Sequence, residues 1–232
     1  MSCDALVFAP HPDDAEIACG GALLLLRQRN KRVVVVDATR GEKGTRGDEA
    51  TRAREAEAAT RMLGLAAREN LGLPDTAVRD DEASAESLVR FLRSHTPRLL
   101  LAPHAHDPHP DHVACAQIAK RAFFLAGLAK FRPELGAPFR PSLLLRYPLH
   151  EPIEPTFCVD ITAVHEQKQK VIACYASQLT GASNAHFVKK LDIQQRIEIR
   201  DRFYGARIGV AAAEPFASEG PLPLSGLELF TG

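Results

Sequence analysis

The stretch that decides the fold is Ala5-Leu6-Val7-Phe8-Ala9-Pro10-His11-Pro12-Asp13-Asp14. It opens with an apolar run that is too short for an amphipathic helix and indicates a strand buried in the core. An imidazole and two carboxylates follow directly, at the exit of that strand. Adjacent carboxylates repel each other, and a divalent cation between them would remove the conflict. The stretch therefore predicts a core strand that ends at a metal site.

The same arrangement recurs about a hundred residues later, where His109-Pro110-Asp111-His112 follows the apolar run Leu99-Leu100-Leu101-Ala102. Either polar segment alone could be turn chemistry, because Pro and Asp both favour turns. Two such segments, each after a predicted core strand, make a purely structural origin improbable. We therefore predict that the two loops meet over one metal ion.

Along the rest of the chain, predicted strands and helices alternate in the order of a doubly wound sheet. Strands are predicted at about 4–9, 33–36, 99–102, 143–147 and 157–161, with a short strand and turn at 70–75. Helices are predicted at about 15–28, 49–63, 82–95, 113–125, 163–177 and 187–207. The expected fold is α/β, with a mostly parallel sheet, helices on both faces, and a single domain over residues 1–232.

Three further segments carry expectations of their own. Gly20-Gly21 interrupts the first helix, and we predict close packing of this helix on the sheet or on the metal loop, since neither a dinucleotide-binding glycine motif nor a P-loop is present. Residues 178–186 are polar and rich in Gly, Ser and Asn, which indicates a mobile lid. The tail from Ala212 contains Pro and Gly and is expected to be irregular.

Composition excludes several classes of partner. Lys+Arg and Asp+Glu both number 29, so the formal net charge is zero, whereas nucleic-acid and membrane-surface binders usually carry a basic excess. The five cysteines are odd in number and form no C-x-x-C pair, which favours reduced thiols in a cytoplasmic protein. No signal peptide or transmembrane span is expected.

The spacing of the polar residues suggests which of them would bind the metal. A catalytic zinc site takes three protein ligands and leaves one position open for water. His11 and Asp14 are three residues apart and can converge from one loop, and His112 supplies the third ligand from the other loop. The same ligands also suit Fe²⁺, so the donor set alone does not choose between the two metals.

Three titratable residues then remain beside the ligands. Asp13 is placed to accept a proton from water as a general base. A protonated His109 would stabilise an oxyanion or protonate a leaving amine, and Asp111 could hold that histidine through its other ring nitrogen. A structural zinc site closes its shell with four ligands, so this surplus of titratable groups favours catalysis.

The segment from His11 to Gly21, His-Pro-Asp-Asp-x-Glu-Ile-x-Cys-Gly-Gly, together with the later His-Pro-Asp-His, resembles the PIG-L/LmbE-like N-acetylglucosamine deacetylases. The chain departs from the family signature by Pro10 before the histidine and by Ala15 before the glutamate. Further motifs are similar to the bacillithiol-pathway branch of that family: Thr39 to Glu42, Gly44 to Gly47, Asn70 to Asp75, Tyr175 to Gln178, and Tyr204-Gly205 with Glu214 to Phe216.

This resemblance implies a Rossmann-like domain, a zinc ion, and hydrolytic removal of acetate from an N-acetylglucosaminyl conjugate. It matches His11, Asp14 and His112 to the family's metal ligands, Asp13 to its general base, and His109 to its second catalytic histidine. The substrate implied by the branch is N-acetyl-glucosaminyl-malate, a small molecule, and bacterial relatives are typically homo-oligomers, often hexamers.

Malate carries two carboxylates, which arginine recognises well because its planar guanidinium can bind them with two hydrogen bonds. Arg46 and Arg52, in and just after the glycine-containing loop, are the candidate substrate-binding residues. Arg52 could instead be an exposed helix arginine paired with Glu49 or Glu55.

Other functions share part of this pattern. Two histidines and a carboxylate also form the facial triad of non-haem Fe(II) oxygenases. A chitin oligosaccharide or a thiol conjugate could replace the malate conjugate as substrate. A zinc-binding protein without catalytic activity is the alternative outside the enzymes.

Overall fold

The computed structural model of the protein describes residues 2–44, 47–179 and 192–222. Its strands are β1 (Ala5–Ala9), β2 (Val33–Asp37), β3 (Ala67–Asn70), β4 (Leu99–Pro103), β5 (Leu143–Tyr147), β6 (Phe157–Asp160) and β7 (Ala213–Ser218). Its α-helices are α1 (Asp14–Gln28), α2 (Glu49–Leu63), α3 (Glu82–His95), α4 (Pro110–Leu125), α5 (His165–Ile172), α6 (Ala176–Leu179) and α7 (Ile193–Ile208). Two short 3₁₀ helices lie at Pro133–Leu135 and Thr162–Val164.

The strands form one sheet in the order β3-β2-β1-β4-β5-β7-β6. The first five strands of this order pair in parallel, and β7 is antiparallel to both of its neighbours. The chain progresses from β1 to one side through β2 and to the other side through β4. This reversal creates a crevice at the carboxyl ends of β1 and β4, where open α/β sheets bind ligands. The predicted α/β fold is confirmed.

The sheet is covered on both faces because its central strands are apolar on both sides. One core cluster contains Val7, Val35 and Leu23, and packs the sheet against α1, α2 and α5. The other contains Phe8, Leu88 and further apolar residues, and packs the opposite face against α3 and α4. The alternating residues of β1 enter different cores, which explains why its sequence is a continuous apolar run.

Helix α1 is kinked at Cys19, whose φ of −139° is not helical. The N–H groups of Gly21 and Ala22 lie just beyond the kink and donate to the Glu214 carboxylate at 2.8 and 2.7 Å. A Cβ on Gly21 would approach the Ile161 side chain to 2.7 Å. The predicted close packing at this glycine is therefore confirmed.

The structure differs from the sequence-based expectation mainly near the C-terminus. The tail predicted to be irregular contains β7, a strand between β5 and β6. Pro215 is tolerated there because β7 pairs with β5 only at Ala217 and Ser218, beyond the residue that lacks an N–H. The predicted strand at 70–75 begins earlier, as β3, and ends at Asn70. Most of the predicted lid at 178–186 lies outside the described residues.

Two further expectations concern the surface and the thiols. Among the described helices, none is long and apolar enough to cross a membrane. All five cysteines are free, and three of them, Cys3, Cys19 and Cys115, are buried. Burial raises the pKa of each of these three thiols, so they are held in the protonated, unreactive form.

Candidate metal centre

The two predicted loops meet at the carboxyl ends of β1 and β4. Asp14 Oδ2 lies 3.1 Å from His11 Nδ1 and 3.4 Å from His112 Nε2, and it accepts a hydrogen bond from the His11 backbone N–H at 3.0 Å. Ligand atoms about 2.0–2.1 Å from a tetrahedral zinc ion lie about 3.3–3.4 Å apart. Asp14 Oδ2 therefore lies close to the distance from each histidine nitrogen that separates two zinc ligands, and all three side chains are buried.

The electrostatics of these residues also indicate a place for positive charge. Burial lowers the pKa of His112, but Asp14 and Asp107 outweigh it and raise this pKa to about 9. The carboxylates around His11 likewise raise its pKa well above the usual range, against the effect of burial. Burial alone would raise the pKa of Asp14, yet the two histidines lower it. Protons thus supply the positive charge that a bound cation would bring.

A second set of acidic residues contacts the ring nitrogens of His11 and His112 that do not face Asp14. Asp111 Oδ2 lies 3.2 Å from His11 Nε2 and accepts from the Thr76 N–H at 2.7 Å. Asp75 Oδ1 lies 3.3 Å from the same ring nitrogen. Carboxylates on the outer nitrogen of a metal-binding histidine fix its tautomer and ring orientation. The prediction that Asp111 holds His109 needs correction, because its carboxylate contacts His11; only its backbone N–H reaches His109.

Asp107 contacts the other ring nitrogen of His112 in the same way. Its Oδ1 lies 3.0 Å from His112 Nδ1, as an ion pair rather than as an aligned hydrogen bond. It also accepts from the His109 N–H at 2.8 Å and lies 3.1 Å from His150 Nδ1. Sequence reasoning assigned no role to Asp75, Asp107 or His150. Asp107 could have been recognised from its place in the histidine-rich loop and Asp75 from the Asn70 to Asp75 motif, whereas His150 follows another element and gave no signal.

His109 is the N-cap of α4, and its ring contacts those of His11 and His112. Its Nδ1 accepts a hydrogen bond from the Asp111 N–H, and this bond caps the helix. Pro110 follows at the first helical position, where its missing N–H costs no hydrogen bond. The ring stacks on His112 with centroids 4.5 Å apart. Ring nitrogens of His11, His109 and His112 lie within 4.8 Å of one another, so three histidines form a second donor set besides the one that includes Asp14.

The pKa of His109 is lowered by burial and further by the neighbouring His112 and His11, against the opposite effect of Asp14 and Asp111. Since Nδ1 accepts a hydrogen bond, the proton of a neutral ring would reside on Nε2. The lowered pKa opposes the imidazolium predicted for His109, which stays a prediction.

Asp13 has an unusual backbone conformation, with φ of 121° and ψ of −28°. A side chain rarely adopts such a positive φ, and strain of this kind persists only where the surroundings impose it. Arg52 imposes it here: its Nε and Nη2 donate to the Pro12 carbonyl at 2.9 and 2.7 Å, and Nη2 lies 3.0 Å from Asp13 Oδ2. Burial raises the pKa of Asp13, and Arg52 only partly opposes this.

These contacts change the role predicted for Arg52. Its side chain is buried beside the cavity, and its guanidinium holds Asp13 and the loop before it, while its part in malate recognition stays a prediction. Neither Glu49 nor Glu55 is its ion-pair partner, because the carboxylate it contacts belongs to Asp13. Arg46, the other candidate for malate recognition, lies outside the described residues.

A cavity of about 650 Å³ opens above this centre. His11, Asp13, Asp14, His109 and His112 line its inner end. Helix α7 and the loop after β5 form much of the outer wall. The volume suits a small-molecule ligand.

Comparisons with known proteins agree with this geometry. A sequence model of the PIG-L family, described as GlcNAc-PI de-N-acetylase, matches residues 6–123, which is about half of the chain. A diacetylchitobiose deacetylase of Thermococcus kodakarensis is 28% identical over 75% of this chain and 69% of its own length. A probable N-acetyl-alpha-D-glucosaminyl L-malate deacetylase of Bacillus subtilis is 30% identical over 53% of this chain.

This chain spans 62% of the length of the Bacillus relative, which is less than two thirds.

Among solved structures, a conserved protein of Thermus thermophilus is 37% identical, with a TM-score of 0.87. That likeness covers 96% of this chain and 97% of the Thermus chain. The matched family segment contains both histidine loops, from β1 through most of α4. The chain therefore belongs to the PIG-L family, a family of deacetylases.

Proposed function

We propose that this protein is a zinc-dependent deacetylase that releases acetate from an N-acetylglucosaminyl conjugate, with N-acetyl-glucosaminyl-malate as its substrate. One observation carries the proposal: Asp14 Oδ2 lies within 3.4 Å of nitrogens from two histidines, while the adjacent Asp13 faces the same cavity without belonging to that triad. This arrangement separates residues suited to bind a metal from a residue suited to chemistry.

His11, Asp14 and His112 would hold the metal. A zinc ion supplies Lewis acidity towards the amide carbonyl and lowers the pKa of water. Fe²⁺ is the alternative ion for the same donors.

Asp13 is the proposed general base. Arg52 lies against Oδ2, which leaves Oδ1 to accept a proton from the attacking water. The pKa of Asp13 is raised by burial, which brings a carboxylate closer to the basicity that proton transfer at neutral pH requires. Its strained backbone, held by Arg52, fixes the direction of the carboxylate before the substrate arrives.

His109 is the proposed second catalytic residue. Its neutral ring can donate from Nε2 to the developing oxyanion, while the Asp111 N–H keeps Nδ1 occupied as an acceptor. The amine released by hydrolysis requires a proton, and the one that Asp13 accepts from water is available for it. Asp111 enters this proposal as a positioning residue for His11 and, through its backbone, for His109.

The malate conjugate is supported by the motifs that run through the chain and by the malate deacetylase of Bacillus subtilis among the relatives. A diacetylchitobiose is the second candidate substrate, because the Thermococcus relative aligns over a larger share of the chain. The proposal also includes a cytoplasmic homo-oligomer, of which hexamers are the expected form. The free, protonated thiols support a reducing compartment.

A panel of acetylated substrates tests the function. Purified zinc-loaded protein is supplied with the malate conjugate, the inositol conjugate, diacetylchitobiose, free N-acetylglucosamine and a thiol conjugate, and acetate release is measured with and without oxygen. The highest kcat/KM is expected for the malate conjugate, independent of oxygen. Turnover that requires oxygen would favour an Fe(II) oxygenase, and zinc binding without turnover of any substrate would favour a non-catalytic protein.

A further inference from the structure

One stripe of helix α7 faces the cavity. The cavity-lining residues of this stripe recur at helical spacing, and they are Ile193, Arg196, Ile197, Arg200, Phe203 and Tyr204. The stripe alternates apolar and cationic side chains. A wall of this kind can pack against a ligand and attract negative charge at the same time.

The two arginines of the stripe differ in their contacts. Arg200 donates to the Ile17 carbonyl and lies 3.2 Å from Asp201 Oδ1, so it ties α7 to α1. Arg196 is half-buried and has no ion-pair or hydrogen-bond partner for its guanidinium within the parts of the chain that the structure describes. Its apolar neighbours Ile193 and Ile197 line the same cavity and lower the local dielectric, which strengthens attraction to an anion.

Lys43 is the second cation of the cavity without an acidic partner among the described residues. Its backbone N–H donates to Asp75 Oδ2 at 2.7 Å, and Asp75 contacts His11, so the lysine is anchored close to the metal centre. Lys43 is exposed, so its side chain is accessible to a ligand. Arg52, in contrast, is already engaged by Asp13.

The acidic side chains of the cavity do not cancel these two charges. Asp13, Asp14 and Asp75 belong to the metal end, where arginine or histidine side chains lie against each of them. Glu151 is exposed and is the remaining carboxylate among the described lining residues. Apart from these carboxylates and their partners, the described lining residues therefore have a net positive charge.

We infer that Arg196, assisted by Lys43, binds an anionic group on the aglycone of the substrate, a carboxylate or a phosphate. Arg196 is thus a specificity-determining residue, and it takes the place that the sequence suggested for Arg52. The inference rests on the proposed deacetylase function and deepens it. It predicts selection for conjugates whose aglycone is charged over neutral glycosides.

The test compares Arg196→Gln with a matched control on the same helix. Arg202 is exposed, pairs with Glu198, and does not line the cavity, so Arg202→Gln controls for loss of an arginine from α7. KM is measured for the malate conjugate, for N-acetylglucosamine 1-phosphate and for the neutral methyl N-acetylglucosaminide. Arg196→Gln should raise KM for an anionic substrate about 10-fold or more, because a charged hydrogen bond is lost. Lys43→Gln should raise it about 3-fold, since its ammonium is exposed.

The neutral glycoside should show no change in KM with either variant, and Arg202→Gln should leave all substrates unaffected. Equal effects of Arg196→Gln on charged and neutral substrates, or none on either, would overturn the inference. An effect confined to the phosphate compound would support the anion site but remove malate as its ligand.

Binding of free L-malate to the metal-free protein gives a readout that needs no turnover. Isothermal titration should show weaker binding to Arg196→Gln than to the wild type and to Arg202→Gln. If no acetylated substrate is hydrolysed by the wild type, the proposed function fails, yet the difference in malate affinity still tests Arg196. If malate binds all three proteins equally while the deacetylase is active, the inference alone fails.

Discussion

Two buried polar clusters of this protein contrast in how completely their charges are matched. At the candidate metal centre, a carboxylate oxygen of Asp14 lies between His11 and His112 and raises the pKa of His112. In the second cluster, Lys168 Nζ lies 2.6 Å from Asp201 Oδ2 and 2.8 Å from Glu214 Oε1, and all three side chains are fully buried. The first cluster opens into a cavity, whereas the second is enclosed by α1, α5, α7 and β7.

The difference indicates how a functional site can be told from a structural ion cluster. In the enclosed cluster, the remaining carboxylate oxygens also have partners: Glu214 accepts from two N–H groups of α1, and Asp201 Oδ1 contacts Arg200. The open cluster gathers more carboxylates than the described cations can match unless its histidines take up protons. We therefore expect damage to the open cluster to affect metal and catalysis, and damage to the closed cluster to affect stability.

Replacement of Asp14 should have the largest effect. Asp14→Ala removes the oxygen shared by two histidines, so the desalted protein is expected to lose stoichiometric zinc and with it all measurable deacetylation. Metal content by atomic absorption, measured beside acetate release, checks this. Full zinc occupancy in Asp14→Ala would instead favour the three-histidine donor set.

Replacement of Asp13 should separate chemistry from metal binding. Asp13→Asn keeps the shape of the side chain but removes the proton acceptor, and kcat is expected to fall about 10²- to 10⁴-fold. Zinc content should stay at the wild-type level, which makes this variant the control for Asp14→Ala. Unchanged kcat would contradict the assignment of the general base.

In the closed cluster, Lys168→Met should cost stability. The substitution removes the cation that the buried carboxylates of Asp201 and Glu214 share, and the free energy of unfolding is expected to fall by about 3–5 kcal/mol. Denaturant titration measures the loss, and the fraction that remains folded should still bind zinc at the wild-type ratio. The exposed pair of Arg61 and Glu57 provides the comparison, because its removal should cost less than about 1 kcal/mol.

Replacement of a carboxylate that supports a histidine of the open cluster should have a smaller effect on zinc binding. Asp107→Asn weakens the support of His112, and zinc affinity is expected to fall about 10- to 100-fold. Competition with a chromogenic chelator measures the affinity. At saturating zinc, most of the activity should return, and failure to recover it would assign Asp107 a direct part in catalysis.

The smallest expected effect is a change in acid stability. Burial would raise the pKa of Asp201, but Lys168 and Arg200 outweigh it and hold this pKa well below its usual range. A carboxyl whose pKa is lower in the folded state stabilises the fold above its unfolded pKa, about 3.9, and loses that contribution as the pH falls. The stability difference between wild type and Asp201→Asn should therefore shrink from pH 6 to pH 3. A constant difference in denaturation midpoints across this range would contradict it.

The open cluster can be predicted from the sequence more easily than the closed one. His11, Asp14 and His112 belong to two compact motifs, each after an apolar strand, and the parallel topology brings such strand ends together. The doubly wound fold followed from the same alternation of strands and helices. The residues of the closed cluster stand singly on distant elements, and a lone lysine in a helix resembles an exposed one until the tertiary structure buries it.

The sequence did not reveal the contacts of some residues because those contacts depend on the tertiary structure. Arg52 occupies a position where a helix arginine is usually exposed, and only the path of the loop around Pro12 shows that its guanidinium faces Asp13. Strand β7 was missed because Pro215 argues against a strand inside a sheet, and the short pairing with β5 that permits it depends on tertiary geometry. The role of Arg196 depends on which face of α7 meets the cavity.

The capping of α1 by Glu214 has a consequence for the order in which the protein matures. The carboxylate that accepts from Gly21 and Ala22 lies 193 and 192 residues downstream of them. During synthesis, all three proposed metal ligands leave the ribosome well before this glutamate does, because chains emerge from the N-terminus. A nascent chain can thus carry a full ligand set while the helix that bears Asp14 still has uncapped N–H groups at its kink. The kink in α1 therefore obtains its carboxylate partner only when β7, the last of the described strands, has been synthesised.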